Sequence, residues 1–86
     1  MPTIGLFRGI KIAIQFNDHV PPHIHVQYGE HKATILINEI ELDEGFLPNK
    51  QLKMVLGWCA LHQEELLENW ELARKNNNTF MIEPLK

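Results

Sequence analysis

A single cysteine, Cys59, is all the thiol chemistry this chain carries. One thiol excludes an intrachain disulfide framework and fits a reducing, cytoplasmic setting. Long hydrophobic runs are missing too: nothing approaches the ~18 consecutive apolar residues of a membrane span. Met1–Phe7 lacks a basic stretch ahead of a long apolar segment, so no signal peptide is expected. Positive charge is also scarce. Eight Lys and Arg against eleven Asp and Glu leave a formal net charge of −3. Proteins that grip a nucleic-acid backbone usually show a basic field, so this balance counts against that role while leaving room for a local basic patch. Internal repeats and low-complexity segments are absent, and Asn76–Asn78 is only a polar linker.

With 86 residues, the chain has the length of one domain, 1–86, with a modest core. At 44% hydrophobic and 22% charged it has the composition of a folded globular protein rather than a disordered one.

The distinctive stretch is Asn17–Tyr28, NDHVPPHIHVQY, which holds three of the five histidines around Pro21-Pro22. Two prolines fix φ and remove two backbone donors, and Val20 and Pro21 each precede a proline and are pushed toward extended backbone. From His23 onward the pattern alternates. His23, His25 and Gln27 fall on one side of a strand, Ile24, Val26 and Tyr28 on the other.

Gly29-Glu30 then separates two strand-like runs, and a two-residue loop with Gly first signals a type II′ hairpin. That turn pairs Tyr28 with His31, Val26 with Ala33, His25 with Thr34, Ile24 with Ile35 and His23 with Leu36. Ile24, Val26, Tyr28, Ala33, Ile35 and Ile37 share one face; His23, His25, Gln27, Lys32 and Thr34 share the other. A one-residue slip would scramble the apolar face, so the register is well specified. His31 belongs to the exposed end of the apolar face. Upstream, Ile10, Ile12, Ile14 and Phe16 alternate with polar or small residues as a first strand, entered from a lead-in segment, Thr3–Phe7. Downstream, Asn38-Glu39 reads as a second tight turn pairing Ile37 with Ile40 and Ile35 with Leu42. A four-stranded antiparallel meander is expected, ended by Asp43-Glu44-Gly45.

Pro48 suits the first turn of a helix. A 3.6-residue pattern runs from there to Lys75, with Arg74 and Lys75 at the end favoured by the dipole and Asn76 as a left-handed cap. The fold class expected is therefore α+β, with the meander packed on one long C-terminal helix. Such a helix would be about 42 Å long, whereas a domain of this size is only about 30 Å across. It must overhang, break, or pack on a second subunit. Leu52, Val55, Leu56, Cys59, Leu66, Trp70 and Ala73 form its wide apolar stripe and are assigned to the sheet. Met54, Trp58, Leu61 and Leu72 form a narrower stripe nearly opposite. Either strand ends and the C-terminal tail cover this stripe, or it mediates homodimerisation through Met54, Trp58 and Leu61. Glu64, Glu65, Glu68 and Glu71 read as a solvated helix face, with Glu71 and Lys75 in the favoured i,i+4 order. His62 lies between the stripes. Thr79–Glu83 has the character of a short return strand.

Met1-Pro2-Thr3-Ile4, Phe16-Asn17-Asp18-His19, Pro21-Pro22-His23-Ile24-His25-Val26, Tyr28-Gly29-Glu30, Leu47-Pro48 and Leu61–Trp70 together resemble the bacterial family called domain of unknown function 4160. The resemblance spans nearly the whole chain, and N-D-H-x-P-P-H-x-H is its most specific part. Ile24 stands where an aromatic is common in the family. The resemblance implies a bacterial, cytoplasmic protein encoded beside a member of domain of unknown function 2442, in a pairing like that of toxin and antitoxin genes. It implies no mechanism.

Three readings of the histidines follow from chemistry. His23 and His25, at i and i+2 of a strand, can chelate one divalent transition metal, with His19 or Asp18 as a third ligand. Alternatively, His19, His23 and His25 can exchange protons on RNA, with Lys32 or Arg8 stabilising phosphate charge, as in a small ribonuclease-like toxin. In the third reading the Asn17-Asp18-His19 turn and the histidine pair bond locally, and the polar sheet face docks a partner protein. A protein-binding component of a two-gene module is the leading expectation.

Overall fold

The computed structural model describes residues 1–86. Five strands come first: β1 (Thr3–Phe7), β2 (Ile10–Ala13), β3 (His23–Tyr28), β4 (His31–Leu36) and β5 (Glu41–Gly45). Two helices follow, α1 (Asn49–Leu61) and α2 (Gln63–Arg74). The strands form one antiparallel sheet in chain order.

The α+β class and the meander hold, with two corrections. The lead-in segment is itself a strand, β1, so the sheet has five strands rather than four. The single long helix is two helices, with the break at His62, where φ is −119° and ψ is 24°. The reason is length. The molecule is 33 Å along its longest axis, too short for a straight 28-residue helix of about 42 Å. The break lets both segments stay on the sheet. Just past it, the Gln63 side-chain amide donates to the carbonyls of Ile37 and Asn38 at 2.9 and 3.1 Å, pinning the start of α2 to the end of β4.

The central hairpin has the register read from the sequence, from His23 opposite Leu36 to Tyr28 opposite His31. Gly29 has φ 58° and Glu30 does not share the positive φ, as a type II′ turn requires. The second turn differs. The register is the expected one, with Ile35 opposite Leu42 and Leu36 opposite Glu41, but the pairing stops there: Ile37 and Ile40 are not partners, and Ile37–Ile40 is a four-residue turn instead of Asn38-Glu39 alone. Ile40 closes it with φ 55° and donates its N–H to the Leu36 carbonyl. A register shift between Thr34 and Ile35 follows, and all five residues of β5 are exposed, Leu42 included. The apolar face therefore does not extend onto β5.

The core lies between one sheet face and the helices. Ile4, Ile10, Ile12, Ile14, Ile24, Val26, Ala33, Ile35 and Ile37 meet Val55, Cys59, Leu66, Trp70 and Ala73 there. Each buried Ile or Leu contributes about 1.5–3 kcal/mol relative to exposure. Trp58 belongs to this core as well, fully buried beside Phe7 at a ring-centroid distance of 5.1 Å. For Trp58, cover by a strand end and the tail is therefore the expectation that is met, and a homodimer cannot be reached through its ring. Of its stripe, Leu61 alone is fully open, while Met54 and Leu72 are half-buried.

The C-terminal tail provides the cover. Thr79–Glu83 is not a strand, but Ile82 donates its N–H to the Ile4 carbonyl at 2.7 Å along the β1 edge. Buried Asn69 exchanges two hydrogen bonds with the Phe80 backbone, at 2.9 and 3.0 Å. Asn76 takes the left-handed conformation at φ 57°. Glu71 pairs with Arg74, at 3.6 Å, rather than with Lys75. No helix is long and apolar enough to cross a membrane.

Candidate functional site

The residues between β2 and β3 bring Asp18 back over the start of β3. Asn17 helps to anchor this connection by donating its backbone N–H to the Ala73 carbonyl at the end of α2. Asp18 is held in turn by its neighbour: the His19 N–H donates to Asp18 Oδ1 at 2.9 Å, a local Asx contact of the expected kind.

The other carboxylate oxygen is where the site converges. His23 Nε2 lies 2.8 Å from Asp18 Oδ2, and His25 Nε2 lies 3.1 Å from the same oxygen. Residues i and i+2 of a strand point to one face, which is why two imidazoles reach one atom. The carboxylate is nearly closed off, with its side chain 7% exposed. The His23 ring is also buried, at a centroid distance of 5.3 Å from Trp70 and 5.2 Å from His25. The His25 ring is partly open to solvent.

The second nitrogen of His23 fixes its chemistry. Nδ1 sits 2.8 Å from the Pro21 carbonyl, which can only accept, so Nδ1 carries the hydrogen. A neutral ring then has a bare lone pair on Nε2, aimed at a carboxylate oxygen 2.8 Å away. Two acceptors cannot face each other at that distance in a buried site without a cation between them. A proton satisfies the pair, making His23 an imidazolium. A metal ion lying off the Nε2–Oδ2 line would also satisfy it, and an imidazole whose Nδ1–H is tied to a backbone carbonyl is the usual form of a metal-binding histidine.

Burial works against the Asp18 charge. The hydrogen bond from His25, the His19 backbone N–H and the positive charge of His23 and His19 outweigh it, so the carboxyl titrates below its ordinary range. Asp18 is therefore an anion at neutral pH, as a ligand or proton partner must be. Cys59 takes no part. It is buried in the core, and desolvation pushes its thiol up to about 12.

The predicted residues are thus sorted. Asp18, His23 and His25 form a cluster whose potential ligand atoms all lie within 4.8 Å of one another. His19 stands outside it. Its ring is 84% exposed and leans back on Asp18 Oδ1 at 3.0 Å, so it covers the carboxylate rather than joining the two Nε2 atoms. Lys32 lies on the same sheet face but opposite Gln27, two residue pairs beyond His25, and lines a neighbouring cavity with it. Arg8 is in the β1–β2 turn, near Tyr28 and thus at the far end of β3 from His23. His31 packs edge-on against Phe46, and His62 bonds Glu65 at 2.6 Å. Neither approaches the cluster.

Two participants escaped the sequence reading. Trp70 walls the His23 ring, and Lys11 lines the cavity beside His25. The alternation of β2 puts Lys11 on a polar face. Which residues of β3 it meets depends on the β2–β3 register, which the long connection leaves open.

Residues 9–71 match the family model described as Domain of unknown function (DUF4160). The matched span includes Asp18, His23, His25 and Lys32, together with β2 to β5, α1 and most of α2. No curated protein and no solved structure matches the chain.

Proposed function

For a chain that belongs to the DUF4160 family, whose description assigns no function, we propose that the protein binds one divalent transition-metal ion through Asp18, His23 and His25. One observation carries this reading: both Nε2 atoms converge on a single buried carboxylate oxygen, with Nδ1 of His23 already committed to a backbone carbonyl. Ligands on one tetrahedral ion at about 2.0–2.1 Å stand about 3.3 Å apart. The two Nε2 to Oδ2 separations of 2.8 and 3.1 Å are slightly shorter, so a small outward shift of the side chains admits an ion. Two imidazoles and one carboxylate suit zinc, nickel, iron or copper rather than calcium or magnesium. Three protein ligands leave positions for water or substrate, the pattern of a working site rather than a closed structural one.

The test is metal content. Native protein purified without an affinity tag should carry about one equivalent of metal. His23→Gln together with His25→Gln should remove it while leaving the far-ultraviolet circular dichroism nearly unchanged. Metal-free native protein that also fails to bind added Zn²⁺ or Ni²⁺ would end this reading.

A second reading, a protein-binding component of a two-gene module, is favoured by a different feature. β5 is exposed throughout, and its outer edge carries no strand. Such an edge can accept a strand from a partner. Co-purification with the neighbouring gene product, lost on placing Pro at Asp43, would support it.

A further inference from the structure

The sheet has two faces, and the helices cover only one. On the open face a cavity of about 360 Å³ is lined by Lys11, His25, Gln27, Lys32, Thr34 and, on the β5 side, Glu44, among others. We propose that this cavity binds a small phosphate monoester, with the phosphate held between Lys11 and Lys32.

Register places the two lysines. Lys11 pairs with Gln27 and Gln27 with Lys32, so the three stand in one row across β2, β3 and β4. Strand spacing puts the outer two about 10 Å apart. Long flexible side chains from both sides can close that span on one anion, each ammonium offering three donors. Both residues are exposed. Neither is in any ion pair of the structure, although acidic residues outnumber basic ones by eleven to eight. Most of the Lys and Arg side chains are unpaired, but these two share one row of one sheet face and flank a neutral amide, and charge complementarity asks for an anion there.

The next row gives the ligand an orientation. It runs Ala13, His25, Thr34, Glu44. Thr34 Oγ1 accepts the Glu44 N–H at 3.1 Å, and the Asp43 carboxylate stands 3.5 Å away. The β5 side is therefore acidic and repels phosphate, which leaves the Lys11–Lys32 row as the anion end. Gln27 is available to help. Its amide makes only a 3.5 Å contact with the Gly29 carbonyl. The volume lies at the small end of the range for ligand pockets, roughly 300–1,000 Å³, and so suits a monoester with a compact organic group. His25 belongs both to this cavity and to the Asp18 cluster, so a bound ester would lie beside that cluster. The anion site itself needs no metal.

The experiment is a titration of chelator-treated protein with phenyl phosphate, read by calorimetry and by backbone amide shifts. Phenol serves as the uncharged control, and a 5′-phosphorylated RNA decamer tests whether the phosphate is the end of a strand. Saturable binding of phenyl phosphate is expected with Kd of about 0.1–1 mM. Its shifts should centre on β2–β4, and Lys11→Ala and Lys32→Ala should each weaken it about tenfold. Because the protein is metal-free, loss of the metal reading leaves this result untouched. The proposal is overturned if phenyl phosphate does not saturate, if phenol binds as well, if both lysine variants bind like wild type, or if only the decamer binds.

Discussion

The indole Nε1–H of Trp58 donates a 2.8 Å hydrogen bond to the carbonyl of Glu83, 25 residues further along the chain. The tail thus caps a tryptophan that the helix alone would leave unpartnered. Trp58→Glu is therefore expected not to yield a folded monomer but to prevent folding, because a carboxylate would be buried without a cation. Trp58→Phe keeps an aromatic ring but loses the donor and part of the indole's bulk, stranding the Glu83 carbonyl. It should fold and lose about 2–3 kcal/mol in urea unfolding. A stable, native-like Trp58→Glu protein would show that the tail does not hold this position. A second copy of the chain would have to be reached through Leu61 and the half-buried Met54.

Asp18 gives the pH prediction. Its folded value is lowered, so its contribution is present above the ordinary carboxylate range and is lost as pH falls through the folded value. In metal-free protein, Asp18→Asn should cost about 1.5–3 kcal/mol near neutral pH, the worth of charged hydrogen bonds. The gap from wild type should close below about pH 4. A gap that stays constant down to acid unfolding would mean that the carboxylate charge is not what His23 and His25 respond to.

Gly45 ends β5 at φ 86°, and a Cβ there would stand 2.1 Å from the Lys32 carbonyl oxygen and 2.7 Å from Ala33 Cα. Gly45→Ala should destabilise by at least about 2–3 kcal/mol and loosen β5, detectable as faster amide exchange on that strand. Gly29→Ala is the comparison. It has φ 58° but nothing within 4 Å, so only the intrinsic cost of about 1 kcal/mol applies. Equal losses for the two variants would show that the contact at Gly45 is relieved by a small shift.

What the sequence determined by itself was local. The β3–β4 register follows from a Gly-first two-residue turn and a period of two, both set by covalent geometry and by the burial of one face. That register put His23 and His25 on one side of a strand without any knowledge of the rest. The stripe from Val55 to Ala73 likewise follows from the helical period, and it is buried as read except at the half-buried Leu56. The remainder was decided by packing between distant segments. Thr3–Phe7 becomes a strand because β2 offers it an edge, and the pattern breaks at His62 because a straight helix outruns the sheet. Trp58 is buried because the tail returns to it. The site itself divides the same way. Its imidazoles were visible in the chain, but the turn of Asp18 Oδ2 onto both Nε2 atoms, the Trp70 wall and the place of Lys11 beside Gln27 depend on contacts that no local period encodes.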